Sequence, residues 1–112
     1  MVKDKKKPAK AVKKADGSLA GRVIHVDHFG NLVTSIRAVD LPDGDVAVEI
    51  GGAVVHGLTT TYGDGDDLVA LIDSSGYLEV ALPRGDAAQL LDADLDTPVT
   101  VRPVVVRLKR PQ

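Results

Sequence analysis

The stretch VAVEIGGAVVH (Val46–His56) decides the fold. Val46, Val48 and Ile50 alternate with Ala47 and Glu49, the period of two that a strand shows when one face is covered. Gly51-Gly52 follow at once and lead into Ala53-Val54-Val55-His56. Paired glycines accept the positive φ of a tight turn, so the two runs predict a β-hairpin. Upstream, Pro42-Asp43-Gly44-Asp45 marks a turn, and RVIHVDH (22–28) and Asn31–Ile36 flank Gly30 as a further pair of strands. Downstream, LTTTY (58–62) predicts a short strand ending in the acidic loop Gly63–Asp67. Leu68–Ile72 and Tyr77–Leu82 predict two more, separated by Asp73-Ser74-Ser75-Gly76. Ala87–Leu91 alone reads as helical, with Asp86 placed to cap it and Gln89 three residues on. Pro98–Val106 closes the pattern as a strand, and Pro103 suggests a sheet edge or a bulge there.

About seven short strands with turns every 8–12 residues predict an all-β fold, a small β-barrel with one short helix near the C-terminal end. Periodicity alone does not separate a barrel from a sandwich, but a barrel hides the edges of so small a sheet. No internal repeat is evident.

Composition narrows the function classes. With 112 residues there is room for one domain, and a (β/α)₈ barrel of about 250 residues is excluded. The absence of cysteine removes disulfides, thiolate zinc sites and thiol nucleophiles. With no Trp, one Phe and two Tyr, the core must be aliphatic. No stretch approaches the ~18 apolar residues of a membrane span, and no hydrophobic signal region follows the Lys-rich start, so a soluble, cytoplasmic protein is expected.

Charge is segregated. Residues 1–14 carry seven Lys against Asp4, residues 15–106 carry four Arg against fifteen acids, and residues 107–112 are basic again. Residues 1–18 are too poor in large apolar side chains to offset their ordering entropy and read as a disordered tail or linker. Residues 19–108 read as the folded domain and 109–112 as a basic tail. An acidic body is a poor surface for phosphate, so nucleic acid is not an expected partner.

Catalytic constellations are scarce. His25 and His28, three apart on a strand, would face opposite ways, and His56 lies elsewhere, so no metal site is expected. Asp64, Asp66 and Asp67 lack EF-hand spacing. Ser74 and Ser75 lack the context of a nucleophile elbow. Three segments nevertheless carry binding chemistry beside a plainer explanation. Phe29, between His28 and Gly30, is either a core ring or, with Asn31, a face and an amide for a heterocycle. Ser74-Ser75-Gly76-Tyr77 is either a plain turn or a cradle for a carboxylate. Arg84-Gly85-Asp86-Ala87 either caps a helix or presents N–H groups to a polar ligand.

Taken in order, GRVIHVDHFGNLVTSI (Gly21–Ile36), TTTYGDGDDLVALIDSSGYLEVAL (Thr59–Leu82) and GDAAQLL resemble the C-terminal domain of the S-adenosyl-L-methionine (SAM) hydroxide adenosyltransferases, the adenosine-forming SAM hydrolases related to fluorinases and chlorinases. The resemblance implies a barrel that follows an N-terminal α/β domain, a homotrimer, and SAM bound between subunits. Water or hydroxide attacks C5′ of SAM to give adenosine and L-methionine, with the water-activating residues in the N-terminal domain. No cofactor is implied, SAM being substrate, and no residue of this chain is catalytic. Position by position, Asp27 matches the acid that holds the methionine amino group, Phe29 and Asn31 the aromatic and amide near adenine, and Tyr62 an aromatic packing on adenine. Ser74 and Ser75 match the pair at the methionine carboxylate. Ala87 matches a backbone contact to the adenine edge, with Arg84 nearby. Ser75 stands where fluorinases carry Arg, which implies the hydrolase branch; Ser35 and His28 also depart from the usual Asn and Arg. The implied function is the SAM- or adenosine-binding barrel of such a hydrolase, inactive without an α/β domain supplied in trans or by an oligomer. The alternative is a stand-alone ligand-binding or trimerisation module with no catalytic role.

Overall fold

The computed structural model describes residues 10–63 and 65–104. Eight strands are described there: β1 (Val12–Lys13), β2 (Leu19–Val26), β3 (Leu32–Arg37), β4 (Val46–Ile50), β5 (Ala53–His56), β6 (Val69–Ile72), β7 (Tyr77–Ala81) and β8 (Pro98–Pro103). One helix, α1 (Ala87–Leu91), joins β7 to β8, and a 3-10 turn covers Ala38–Asp40. The strands form a single sheet in the order β5-β4-β8-β2-β3-β7-β6, with β1 beside β2. The two ends of that order nearly meet. Three residues past β5, Thr59 bridges Leu71 of β6, and its N–H donates to the Ala70 carbonyl at 2.8 Å. The expected all-β barrel is therefore present and almost closed, so little edge is left unpaired.

The bend in β2 makes closure possible. Leu19–Arg22 pairs with β8, whereas Val23–Val26 pairs with β3. Between Val23 and His25 the register shifts by one residue, a bulge at Ile24 that sharpens the local twist. At Gly21 a Cβ would stand 2.7 Å from Ser35 Oγ and 2.8 Å from Ile36 Cγ1. A side chain there would force β2 and β3 apart at the corner.

The core is aliphatic, as the composition demands. Leu19, Val23, Leu32, Ile36, Val48, Leu78, Val80, Val99 and Val101 are buried to 2% exposure or less, and no aromatic ring joins the cluster. β3 also buries a hydroxyl without leaving it unsatisfied. Thr34 Oγ1 donates to the Leu78 carbonyl at 2.9 Å and accepts the Ile36 N–H at 3.1 Å. It thereby bridges the place where the β3–β7 ladder slips between Val33 and Arg37.

Several local expectations shift. Residues 58–62 form no strand; Thr59 makes one bridge and the rest is loop, because a Thr-rich run has no partner on its other side. β8 lies between β4 and β2 rather than at an edge. Pro98 and Pro103 sit at its two ends, where a missing N–H does least harm to the ladder. β2 starts at Leu19 and stops at Val26, which puts His28 in the following turn, not on the strand with His25. Of the expected N-terminal tail, residues 1–9 lie outside the described residues, and Val12–Lys13 pairs with Leu19 and Ala20 of β2. The basic C-terminal tail also lies outside the described residues. No described helix is long and apolar enough to cross a membrane.

Candidate functional site

Two loops distant in sequence meet beside the end of β7. The first joins β2 to β3 and is built by Asp27. Its backbone closes the turn, Asp27 N–H donating to the Asn31 carbonyl and Gly30 N–H to the Asp27 carbonyl, both at 3.0 Å. Asp27 Oδ1 accepts the N–H groups of Phe29 at 2.9 Å and Asn31 at 3.0 Å, and Oδ2 accepts from Asn31 Nδ2 at 3.0 Å. A carboxylate only accepts, so this bond fixes which end of the Asn31 amide faces it. Gly30 adopts φ of +86°, a region that disfavours any Cβ. With the turn held through its backbone, the Phe29 ring stands out at 70% exposure, edge-on to His28 with centroids 5.3 Å apart. Phe29 is thus no core ring.

Burial raises the Asp27 carboxyl, but the hydrogen bonds from Asn31 and Phe29, aided by His25, outweigh it and hold the acid below its ordinary range. Asp27 is an anion whose carboxylate is already oriented.

The second loop leaves β5 and carries Tyr62. Its hydroxyl donates to Glu79 Oε2 at 2.9 Å. Glu79 lies in the middle of β7 and is 4% exposed. Burial pushes its carboxyl above the usual range, the charges of Asp27 and Asp73 push the same way, and the Tyr62 bond only partly opposes them. That same bond, together with burial, raises the Tyr62 phenol, so Tyr62 keeps its proton.

Asp27, Phe29, Asn31 and Tyr62 line one cleft of about 470 Å³, completed by Leu82, Pro83 and Gly85. That volume suits a small-molecule ligand. The other four sequence-derived positions stand apart from its lining. Ser74 and Ser75 are exposed in the β6–β7 turn, at the opposite end of β7 from Leu82, roughly 16 Å away at the rise of a strand. Arg84 is exposed and lies 3.9 Å from Asp66, although its neighbours Pro83 and Gly85 line the cleft. Ala87 is wholly buried, so its side chain serves the core and only its backbone remains for a ligand. Asp86 caps α1 as expected, accepting the Gln89 N–H at 2.9 Å, and Ala88 N–H donates to the Gly30 carbonyl at 3.0 Å. The helix start is therefore fastened to the back of the Asp27 turn.

Glu79, Leu82 and Pro83 escaped sequence reasoning, whereas Gly85 belongs to the Arg84–Ala87 segment that the sequence singles out. Glu79 had a signal, being the one acid in the apolar run YLEVAL (77–82). Among the described residues no group of three side chains could hold a metal ion.

The model of the SAM hydroxide adenosyltransferase C-terminal domain matches residues 21–100. Among solved structures, an uncharacterized conserved protein from Thermotoga maritima superposes with a TM-score of 0.69 at 29% identity over 90% of this chain. A conserved hypothetical protein from Thermus thermophilus superposes with a TM-score of 0.60 at 37% identity over 74% of it. The matches span 41% and 34% of those two chains. No curated protein matches the sequence.

Proposed function

Since the chain belongs to the SAM hydroxide adenosyltransferase C-terminal domain family, we propose that it is the adenosyl-binding barrel of an adenosine-forming SAM hydrolase. One observation carries this reading: Asp27, Phe29, Asn31 and Tyr62, from two loops far apart in sequence, line a single cleft. In it the exposed Phe29 ring stacks on adenine, and the Asn31 amide, oriented by Asp27, pairs with the heterocycle's edge. Asp27, held ionised, takes the methionine ammonium. Ser74 and Ser75 take the methionine carboxylate, and the Arg84 loop and the Ala87 backbone approach the adenine edge.

No residue of the barrel is assigned to activate water. That step is assigned to the α/β domain that the family resemblance implies. That domain faces the cleft from a neighbouring subunit of a homotrimer in the cytoplasm. SAM enters as substrate, not as cofactor. The barrel alone therefore binds without turnover, because nucleophile activation and positioning come from the α/β domain. Calorimetry with adenosine and SAM, with chromatography for released adenosine, tests this. Binding that weakens in Asn31→Ala, with no adenosine formed by the purified chain, is expected. Robust turnover without a partner, or binding indifferent to Asn31, refutes it.

A further inference from the structure

Glu79 is a buried acid that none of the roles above uses. It projects from β7 between Val33 of β3 and Leu71 of β6, its uncharged ladder partners. The charges acting on it are the carboxylates of Asp27, in the β2–β3 turn, and Asp73, in the β6–β7 turn. Arg37 of β3, paired with Tyr77, is exposed. A carboxyl so placed is costly to ionise and needs a partner. Its partner is the Tyr62 hydroxyl.

Tyr62 in turn depends on Glu79. Its loop is fastened by Gly57 N–H to the Val46 carbonyl and by Thr59 N–H to the Ala70 carbonyl. Past the bridge, Thr59 Oγ1 to the Thr61 carbonyl at 2.7 Å is a bond within the loop itself. The ring is 43% exposed, and the bond to Glu79 is the one described tie between it and the barrel wall. We propose that Glu79 is a positioning residue: through the Tyr62 hydroxyl it holds that ring as one wall of the Asp27–Phe29–Asn31 cleft, and its protonation sets the strength of the hold. An ionised Glu79 accepts a stronger, charge-assisted bond from a phenol that stays protonated. Ring and cleft therefore tighten as pH rises through the raised Glu79 value. The role in binding rests on the reading of the cleft as an adenosyl site, whereas the tie itself does not.

The full chain carrying Tyr77→Phe separates the two, because Tyr62 is then its single tyrosine and the chain has no tryptophan. A carboxylate acceptor quenches phenol emission. Tyr62 emission should fall in one step, with a midpoint above the ordinary glutamate value of 4.5, and Glu79→Gln should abolish the step. Absence of the step, or its persistence in Glu79→Gln, overturns the tie. For binding, Tyr62→Phe and Glu79→Leu should each weaken adenosine roughly ten- to hundredfold, the range for one hydrogen bond to a charged group. The double variant should be no worse than either single one. Glu79→Gln, whose amide oxygen still accepts, should stay within about twofold of the parent at low pH and lose the pH dependence of binding. Tyr62 is on the surface, so its variant reports even if Glu79→Leu fails to fold. Unchanged affinity in Tyr62→Phe overturns the positioning role. If the parent chain binds neither adenosine nor SAM, the adenosyl reading and the positioning role fail together, and the emission step still decides the tie.

Discussion

Gly30→Ala tests how the Asp27 turn is fastened to the helix. At φ of +86° an L-residue costs about 1–2 kcal/mol. A Cβ there would also overlap the Asp86 carboxylate, so Asp86 must swing away. That forfeits its cap on the Gln89 N–H, about 1 kcal/mol. It also strains the Ala88 N–H to Gly30 carbonyl bond, about another 0.5–1 kcal/mol. The sum is roughly 3 kcal/mol, or a fall in Tm of about 10–20 °C for a domain of this size. Gly76→Ala is the matched control. Its φ is +90°, in a turn of the same hydrogen-bonding pattern, but nothing lies within 4 Å of the added Cβ. It should lose only the conformational cost of about 1–2 kcal/mol. Urea and thermal unfolding of both variants, each also made in an Asp86→Ala background, give the measurement. In that background Gly30→Ala should cost no more than Gly76→Ala, a coupling of about 1–2 kcal/mol. Equal losses for Gly30→Ala and Gly76→Ala in the unmodified chain would refute the reasoning.

Phe29→Ala should leave stability within about 0.5 kcal/mol, since the ring is 70% exposed, yet weaken adenosine binding by roughly 5- to 100-fold, the span of base–aromatic stacking. Calorimetry beside a melting curve checks both halves. Thr34→Val keeps the shape of the side chain but strips the acceptor from the buried Ile36 N–H, and should cost about 1–3 kcal/mol in urea unfolding. Stability should also depend on pH in two opposed ways. Asp27, held low, contributes stability that is present above its ordinary value of 3.8 and lost as pH falls through its lowered value. Glu79, held high, makes stability decline as pH rises from its ordinary value of 4.5 through its raised value. The urea midpoint should therefore drop across that upper window, and Glu79→Gln should flatten the drop.

The elements with strong local signals were legible: the Val46–His56 hairpin and the β6–β7 pair from their strand patterning, and the short helix from its cap, all stand where the residues put them. What escaped depended on partners distant in sequence. Polar runs offer no such guide: LTTTY (58–62) carried enough β propensity to suggest a strand but found a partner only at Thr59. The bulge at Ile24 and the central place of β8 follow from closing the barrel, which no local window of sequence contains. The same limit applies to the cleft. Phe29 and Asn31 could be paired by eye because one turn holds them, whereas Leu82, Pro83 and Gly85 reach them only through the β3–β7 pairing.

The chain does contain one local repeat, which becomes meaningful once its hydrogen bonds are known. DHFGNL (27–32) and DSSGYL (73–78) share Asp at the first position and Gly at the fourth. In both, the Asp N–H donates to the carbonyl four residues on, the Gly N–H donates back to the Asp carbonyl, and Asp Oδ1 accepts the third and fifth N–H groups. Both glycines have φ near +90°. Asp and Gly are thus required by the turn itself, which weakens them as evidence of function. The second and third side chains are not needed by the turn: His28 and Phe29 in one, Ser74 and Ser75 in the other. They differ between the two copies in the way a binding site with an aromatic end and a hydroxyl end would need. One backbone device, used just before β3 and just before β7, leaves two dissimilar pairs of side chains exposed while Glu79 and Tyr62 occupy the span between them.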